Sequence, residues 1–305
     1  MKESPGMNPY VILAFGVFAV STSAVFVKLS TAPAGVIAFY RLLFSVIIML
    51  PVFIPKYVGE LKKIYKKDWL FIMMSGAFLA FHFILWFESL RYTSVASSTV
   101  LVTLQPLFAF AGAYLFFKEK FSAKAIFAAF GAIVGSFAIS WGDFQISGAA
   151  LYGDMLALAG CALITAYMLV GQTVRKRVSL VTYTFALYAV SSAVLLIYVL
   201  AEQQPLYPYP AADWIYFLLQ AVLATLLGHT IFNWSLKWVS ASAVSMAILF
   251  EPVGAALLAY VILGEKIEWY QLAGGITVIL SVLYYMANDI HAQKELPKRE
   301  VVREQ

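Results

Sequence analysis

Residues 89–120 read SLRYTSVASSTVLVTLQPLFAFAGAYLFFKEK, and residues 235–266 read SLKWVSASAVSMAILFEPVGAALLAYVILGEK. At an offset of 146 residues and without a gap, Ser89-Leu90 falls on Ser235-Leu236, Pro106 on Pro252, Ala113-Tyr114 on Ala259-Tyr260 and Glu119-Lys120 on Glu265-Lys266. Gln105 meets Glu251 and Arg91 meets Lys237. Apolar helices share Leu, Ala and Val by chance, but coincident Pro, Tyr and Glu-Lys at one offset mark an internal repeat. Both stretches are apolar through their middle and long enough to cross a bilayer, which takes about 20 residues of helix.

Working outward, continuous apolar runs lie near 9–29, 34–54, 69–90, 94–117, 123–141, 149–170, 180–201, 213–236, 240–263 and 268–288. They do not alternate as barrel strands do, so the expectation is ten transmembrane helices. Composition agrees. Of 305 residues, 62% are hydrophobic and 12% charged, with mean hydropathy +0.84. A soluble domain carries roughly twice that charge, and so large an apolar surplus must be solvated by lipid.

The net charge of +5 sits in short loops between spans, which points to membrane topology and not to nucleic acid. Lys56, Lys62, Lys63, Lys66 and Lys67 fall on one side with Lys118, Lys120 and Lys124, with Arg175, Lys176 and Arg177, and with Lys294, Lys298, Arg299 and Arg303. The other side holds little beyond Lys28, Arg91 and Lys266. The expectation is a multi-pass protein of the cell (inner) membrane with both termini cytoplasmic. Trp69, Trp141, Trp214 and Trp269 stand at span ends as interfacial aromatics do. The first run is long enough to span, which argues against a cleaved leader. The stretch 289–305 reads as a cytoplasmic tail.

Five spans per half reverse the second half relative to the first. The fold expected is all-α integral membrane: ten transmembrane helices as two inverted five-helix repeats, 1–145 and 146–288, around a central cavity, which is a transporter architecture. In this layout the chain resembles the drug/metabolite transporter superfamily, in its EamA group, over about residues 9–288. The resemblance rests on the five-plus-five plan, the Leu90-Arg91-Tyr92-Thr93-Ser94 turn, the mid-span Pro106 and Pro252, and the Glu119-Lys120 and Gly264-Glu265-Lys266 endings. It implies a bundle with a central cavity and, most often, export of amino acids or other small metabolites.

Ionisable groups inside spans cost several kcal/mol unless they face protein or water, and are candidates for function. Gln105 and Glu251 precede the helix-breaking Pro106 and Pro252, and such breaks free backbone carbonyls. Glu251 lines the pathway or makes a structural hydrogen bond. Burial disfavours the charged form of any carboxyl, which would suit proton coupling. Arg41 in span two could hold a substrate carboxylate, or pair with Glu88 or Glu251 as a gate or strut. His82 and His229, in spans three and eight, sit one residue off the repeat register and read as cavity lining or as packing. No third ligand is visible, so no metal is expected. Trp86, with Phe87, Tyr40, Tyr167 and Trp234, could line an aromatic cavity for an amphipathic or cationic solute, or serve in packing or face lipid. Gly131 and Gly135 form a small-xxx-small motif, read as helix packing or a homodimer face. Cys161, the single cysteine, reads as apolar packing.

No P-loop, His-Glu-x-x-His or Gly-x-Ser-x-Gly occurs, so neither a self-contained ATPase nor these hydrolase classes are indicated. No cofactor is expected, and the partners are a small-molecule solute and membrane lipid. The leading reading is a secondary or facilitative carrier exporting amino acids or related metabolites. The alternatives are a multidrug proton antiporter for quaternary amines and, in another class, a channel.

Overall fold

The computed structural model describes residues 7–93, 95–139, 141, 148–264 and 266–303. Among them every regular element is a helix. In chain order these are α1 Pro9–Leu29, α2 Ala34–Tyr57, a 3-10 turn Val58–Lys63, α3 Lys66–Ser89, α4 Val95–Val102, α5 Gln105–Phe117, α6 Ala123–Ile139, α7 Gly148–Arg175 and α8 Leu180–Ala201. There follow α9 Ala211–Leu219, a π-helix Gln220–His229, α10 Thr230–Ser235, α11 Ala241–Ile248, α12 Glu251–Leu263 and α13 Trp269–Arg303.

Local chemistry sets the boundaries. Asn8 caps α1 by accepting from Tyr10 N at 3.0 Å, with Pro9 at the first helical position, where a missing N–H costs nothing. Ser179 caps α8 and Ser240 caps α11 in the same way. Pro106 and Pro252 lie at the second positions of α5 and α12, so each proline restarts a helix, and the span breaks just before it. Both restarted helices end in the left-handed conformation, at Lys118 (φ 56°) and Gly264 (φ 71°). The helix starts Ala34, Val95, Gln105 and Ala123 recur 146 residues on at Leu180, Ala241, Glu251 and Trp269. The expected match of Glu119 with Glu265 falls partly outside the described residues, as does Ser94.

By length and apolar character, nine helical stretches among the described residues can cross a membrane. The broken pairs α4–α5 and α11–α12 count as one span each, as does the run from α9 to α10. The expected fifth span is the short one. Helix α6 has 17 residues, about 26 Å at 1.5 Å per residue, against roughly 30 Å of hydrocarbon. At the other end α13 continues as helix to Arg303 instead of stopping where the apolar run ends.

The bundle is polar inside and apolar outside. Phe116, Phe127, Phe130, Val261 and Trp269 are exposed, while Arg41, Gln220, His229, Asn233 and Glu251 are buried. This is the reverse of a water-soluble surface and suits a lipid solvent. Helix α3 packs on α7, and its counterpart, the run from the π-helix into α10, packs on α1. Helices α4 and α5 lie on α7 as α11 and α12 lie on α1. The pairs α2–α8 and α6–α13 pack on their own counterparts. Gly131 and Gly135 are spent inside the chain on the last of these. A Cβ on Gly135 would lie 2.7 Å from Gly274 O, and one on Gly131 would lie 2.6 Å from Ser281 Oγ. The homodimer face read from that motif is thus covered by α13. Cys161 is fully buried and free, as a packing residue should be.

Polar contacts close both ends. Where the Lys/Arg-rich loops gather, Arg177 pairs with Asp68, and Glu60 accepts from Ser179 N at 2.9 Å and from the hydroxyls of Ser179 and Thr182. At the opposite end Asp213 of α9 grips the α1–α2 turn, accepting from Ser30 Oγ at 2.6 Å, Thr31 Oγ1 at 2.7 Å and Thr31 N at 2.9 Å.

Candidate functional site

The two span breaks meet near the middle of the bundle. Helix α4 packs against α12, and α5 against α11, which brings Gln105 and Glu251 to one cavity. His82 and Trp86 reach it from α3, His229 from the end of the π-helix, and Val102 and Ile248 from the last turns before the breaks. Of the candidates read from the sequence, His82, Trp86, Gln105, His229 and Glu251 therefore share one site, and Arg41 does not line it. Pro106 and Pro252 stand beside it and create the breaks. The cavity measures about 10 Å³, which is at the lower limit for a single water molecule. This conformation is closed around its centre.

The polar groups there are largely uncommitted. Trp86 Nε1, Gln105 Oε1 and His229 Nδ1 are buried without a hydrogen-bond partner. The Glu251 side chain makes no hydrogen bond or ion pair among the described residues, although the residue is only 4% exposed; its backbone carbonyl accepts from Ser21 Oγ at 3.3 Å. Among the cavity's polar side chains His82 is the one with a partner, Nδ1 lying 3.0 Å from Gly160 O. Native proteins leave few buried polar atoms unpaired, since each costs about 1–3 kcal/mol. Three such atoms, with the Glu251 carboxyl beside them, gather at one small cavity. They offer an indole donor, an amide acceptor, a carboxyl group and an imidazole nitrogen, a set able to hold both ends of a small polar molecule.

Arg41 stands behind this wall. It is fully buried, with its Cζ 4.3 Å from the centre of the Phe83 ring. That ring lies 5.5 Å from the imidazole of His229. Arg41 Nε donates to Thr225 Oγ1 at 2.7 Å, and Nη1 donates to Ser23 Oγ at 2.8 Å and to Gln220 Oε1 at 3.1 Å. Neither expected carboxylate is its ion-pair partner. Glu88 binds Arg91 at 3.3 Å instead. The cation is held by neutral dipoles, and Nη2 is left without a partner.

Of the remaining aromatics, Phe87 lines a different cavity. Tyr40 donates to Leu206 O at 2.9 Å, and Tyr167 to Asn233 Oδ1 at 2.7 Å. Trp234 packs on Trp238. These have structural partners. Among the described residues no group of three His, Cys, Asp or Glu side chains converges as a metal site.

The sequence reading did not single out Ser23, Gln220 or Thr225 as partners of Arg41. Gln220 and Thr225 belong to the π-helix that ends at His229. One signal was present. Asp68-Trp69 recurs at an offset of 145 as Asp213-Trp214, whereas Ser89-Leu90 recurs at 146. The second half holds one extra residue between these landmarks, and the wider turns of the π-helix take it up. The histidines stand outside both registers, since His82 and His229 are 147 residues apart.

A model described as the EamA-like transporter family matches residues 8–141 and 151–287. The chain is 27% identical over 209 residues to an uncharacterized transporter, YyaM, of Bacillus subtilis (strain 168), covering 65% of this chain and 67% of that one. It is 22% identical over 260 residues to the riboflavin transporter ImpX of Fusobacterium nucleatum, covering 81% and 86%. A solved crystal structure shares the fold with a TM-score of 0.72 at 14% identity, over 91% of this chain and 98% of that one.

Proposed function

The chain belongs to the EamA-like transporter family, and from that premise we propose that it is a secondary carrier exporting amino acids or related small metabolites across the cell membrane by alternating access. The observation that carries this reading is the central cavity, closed at both ends and lined by four uncommitted polar side chains at the crossing of two broken spans. In this reading the halves 1–145 and 146–288 are five-helix units of opposite orientation, with both termini in the cytoplasm and α6 as the short tenth span. The recurrence of helix starts and the exchange of packing partners support it.

A solute with an ammonium and a carboxylate fits the donor set. Glu251 and Gln105 Oε1 accept from the ammonium. Trp86 Nε1 donates to the carboxylate, and Arg41 Nη2 is reached once the Phe83 ring moves. A proton traded at Glu251 is the proposed coupling. A fixed cation beside the site disfavours the reading as a multidrug carrier for quaternary amines, and closure at both ends disfavours a channel.

The test is a thermal-shift screen of the purified protein against amino acids, nucleosides, quaternary amines and riboflavin, the last because ImpX is named for it. A ligand that binds only the folded state raises apparent stability. Each hit is then offered to preloaded vesicles. Counterflow of a labelled amino acid is the expected result, and hits that bind without exchanging would sink the carrier reading.

A further inference from the structure

Polar space along α3 continues past the central cavity. Just beyond Trp86, Phe87 and Arg91 line a second, wider cavity of about 330 Å³ at the end opposite the lysine-rich loops. Val27, Lys28, Ser30 and Thr31 form its other wall. Phe87 is fully buried and packs against Trp86 with ring centroids 5.2 Å apart and against Phe83 at 5.4 Å. One side chain thus borders this vestibule and touches the lining of the central cavity, as a partition between them.

Both charged side chains that line the vestibule are cations. Lys28 is exposed and makes no hydrogen bond or ion pair among the described residues. Arg91 gives only Nη1 to the two oxygens of Glu88, both at 3.3 Å. The carboxylate of Asp213 is already held by Ser30 and Thr31. The 24-residue helix α2 begins at the cavity's edge with Ala34, and its start has no side-chain cap. Its unpaired N–H groups add partial positive charge. Lys28, Arg91 and the open helix start face the cavity, while the carboxylates of Glu88 and Asp213 stand outside its lining.

The geometry points to a vestibule site for small carboxylate-bearing solutes, held by Lys28 and Arg91 in front of the Phe87 partition. Its place on a transport path rests on the carrier reading above; its binding of anions does not. A cleft lined by one sign of charge concentrates the opposite ion and raises its encounter rate by ~10-fold or more.

The experiment uses full-length protein in an uncharged detergent, with Thr31→Cys or Ser30→Cys in a Cys161→Ala background. Modification rates are measured with an anionic methanethiosulfonate (the ethylsulfonate) and a cationic one (the ethyltrimethylammonium). Each rate is divided by its rate with 2-mercaptoethanol. The expected normalised preference for the anion is about 10-fold. It falls toward one when Lys28→Gln and Arg91→Gln are added, and it shrinks as salt shortens the Debye length. N-acetylglycine should slow the modification, and its neutral amide should not, at equal ionic strength. Equal normalised rates, a cation preference, or an anion preference that survives loss of both cations overturns the site. So does failure of both cysteines to react, or equal protection by acid and amide. Counterflow judges the carrier reading separately, so either can fail alone.

Discussion

Gln105 and Glu251 are each the first residue of the helix that restarts a broken span, and both line the same cavity. One chain thus presents an amide and a carboxyl at equivalent points of two related elements. The difference is chemical, because only the carboxyl can lose a proton. The two matching positions therefore differ in kind, and of the pair only Glu251 can carry a proton.

Glu251→Gln is therefore predicted to cut transport by more than 10-fold and to abolish its pH dependence. Stability should change by less than about 1 kcal/mol, because the side chain has no hydrogen bond to lose. Uptake in reconstituted vesicles across a pH series, with melting of the purified variant, measures both. Unchanged transport with unchanged pH dependence would falsify the central role of this carboxyl.

Arg41 separates structure from selectivity. It makes three hydrogen bonds to neutral partners on α1 and the π-helix, and bonds to a charged group are worth about 1.5–3 kcal/mol each. Arg41→Ala should destabilise by roughly 2–4 kcal/mol, since Ser23 and Gln220 keep their mutual bond at 2.9 Å. Arg41→Lys should recover only part of this, because an ammonium lacks the planar fork. Among solutes still carried, carboxylate-bearing ones should suffer most. Equal loss for neutral, cationic and anionic solutes in the Lys variant would assign Arg41 to structure alone.

The sequence made some of this legible and hid the rest, for physical reasons. Spans are legible because lipid demands long apolar runs, and the breaks because proline cannot continue a helix. His82, Trp86, Gln105, His229 and Glu251 stood out because a polar group within an apolar run needs a reason to be there. Ser23, Gln220 and Thr225 did not stand out. Hydroxyls and amides are common in helices, and their role depends on a π-helical turn that hydropathy does not reveal. Arg41 was visible, but its partners were expected to be charged. In the structure neutral dipoles spread over two elements hold it, and no sequence spacing encodes that. The grip of Asp213 on Ser30 and Thr31 was likewise hidden, because it joins residues more than 180 positions apart.

Asp213→Asn tests that grip. The carboxylate accepts three hydrogen bonds from the α1–α2 turn. An amide keeps one acceptor oxygen and turns the other into a donor facing donors. The expected loss is about 1–3 kcal/mol, read as a lower melting temperature. Cysteines placed on the vestibule side of Phe87 should also react faster as the end loosens. A variant as stable as the parent, with unaltered reactivity, would show that the contact closes nothing.

The last prediction concerns the closed centre. Val102 and Ile248 are equivalent positions 146 residues apart, both line the cavity, and they are 3% and 1% exposed. In this closed conformation a cysteine at either place should react slowly with any reagent from either face, because the cavity is too small to admit one. Alternating access requires the protein to leave this state toward each side in turn. Val102→Cys and Ile248→Cys, each in a Cys161→Ala background, should therefore be modified from both faces of a vesicle over time. A transported solute must change both rates, because a ligand shifts the population of open states when it binds them unequally. Locking one end should separate the faces. A cross-link between cysteines at Ser30 and Asp213 should stop modification from the vestibule side and spare it from the lysine-rich side. In a continuous pore every molecule would be open to both faces at once, and closing one end would leave an aqueous path from the other with no dependence on solute. Modification from both faces in the cross-linked protein, at rates indifferent to solute, would remove alternating access while leaving the fold intact.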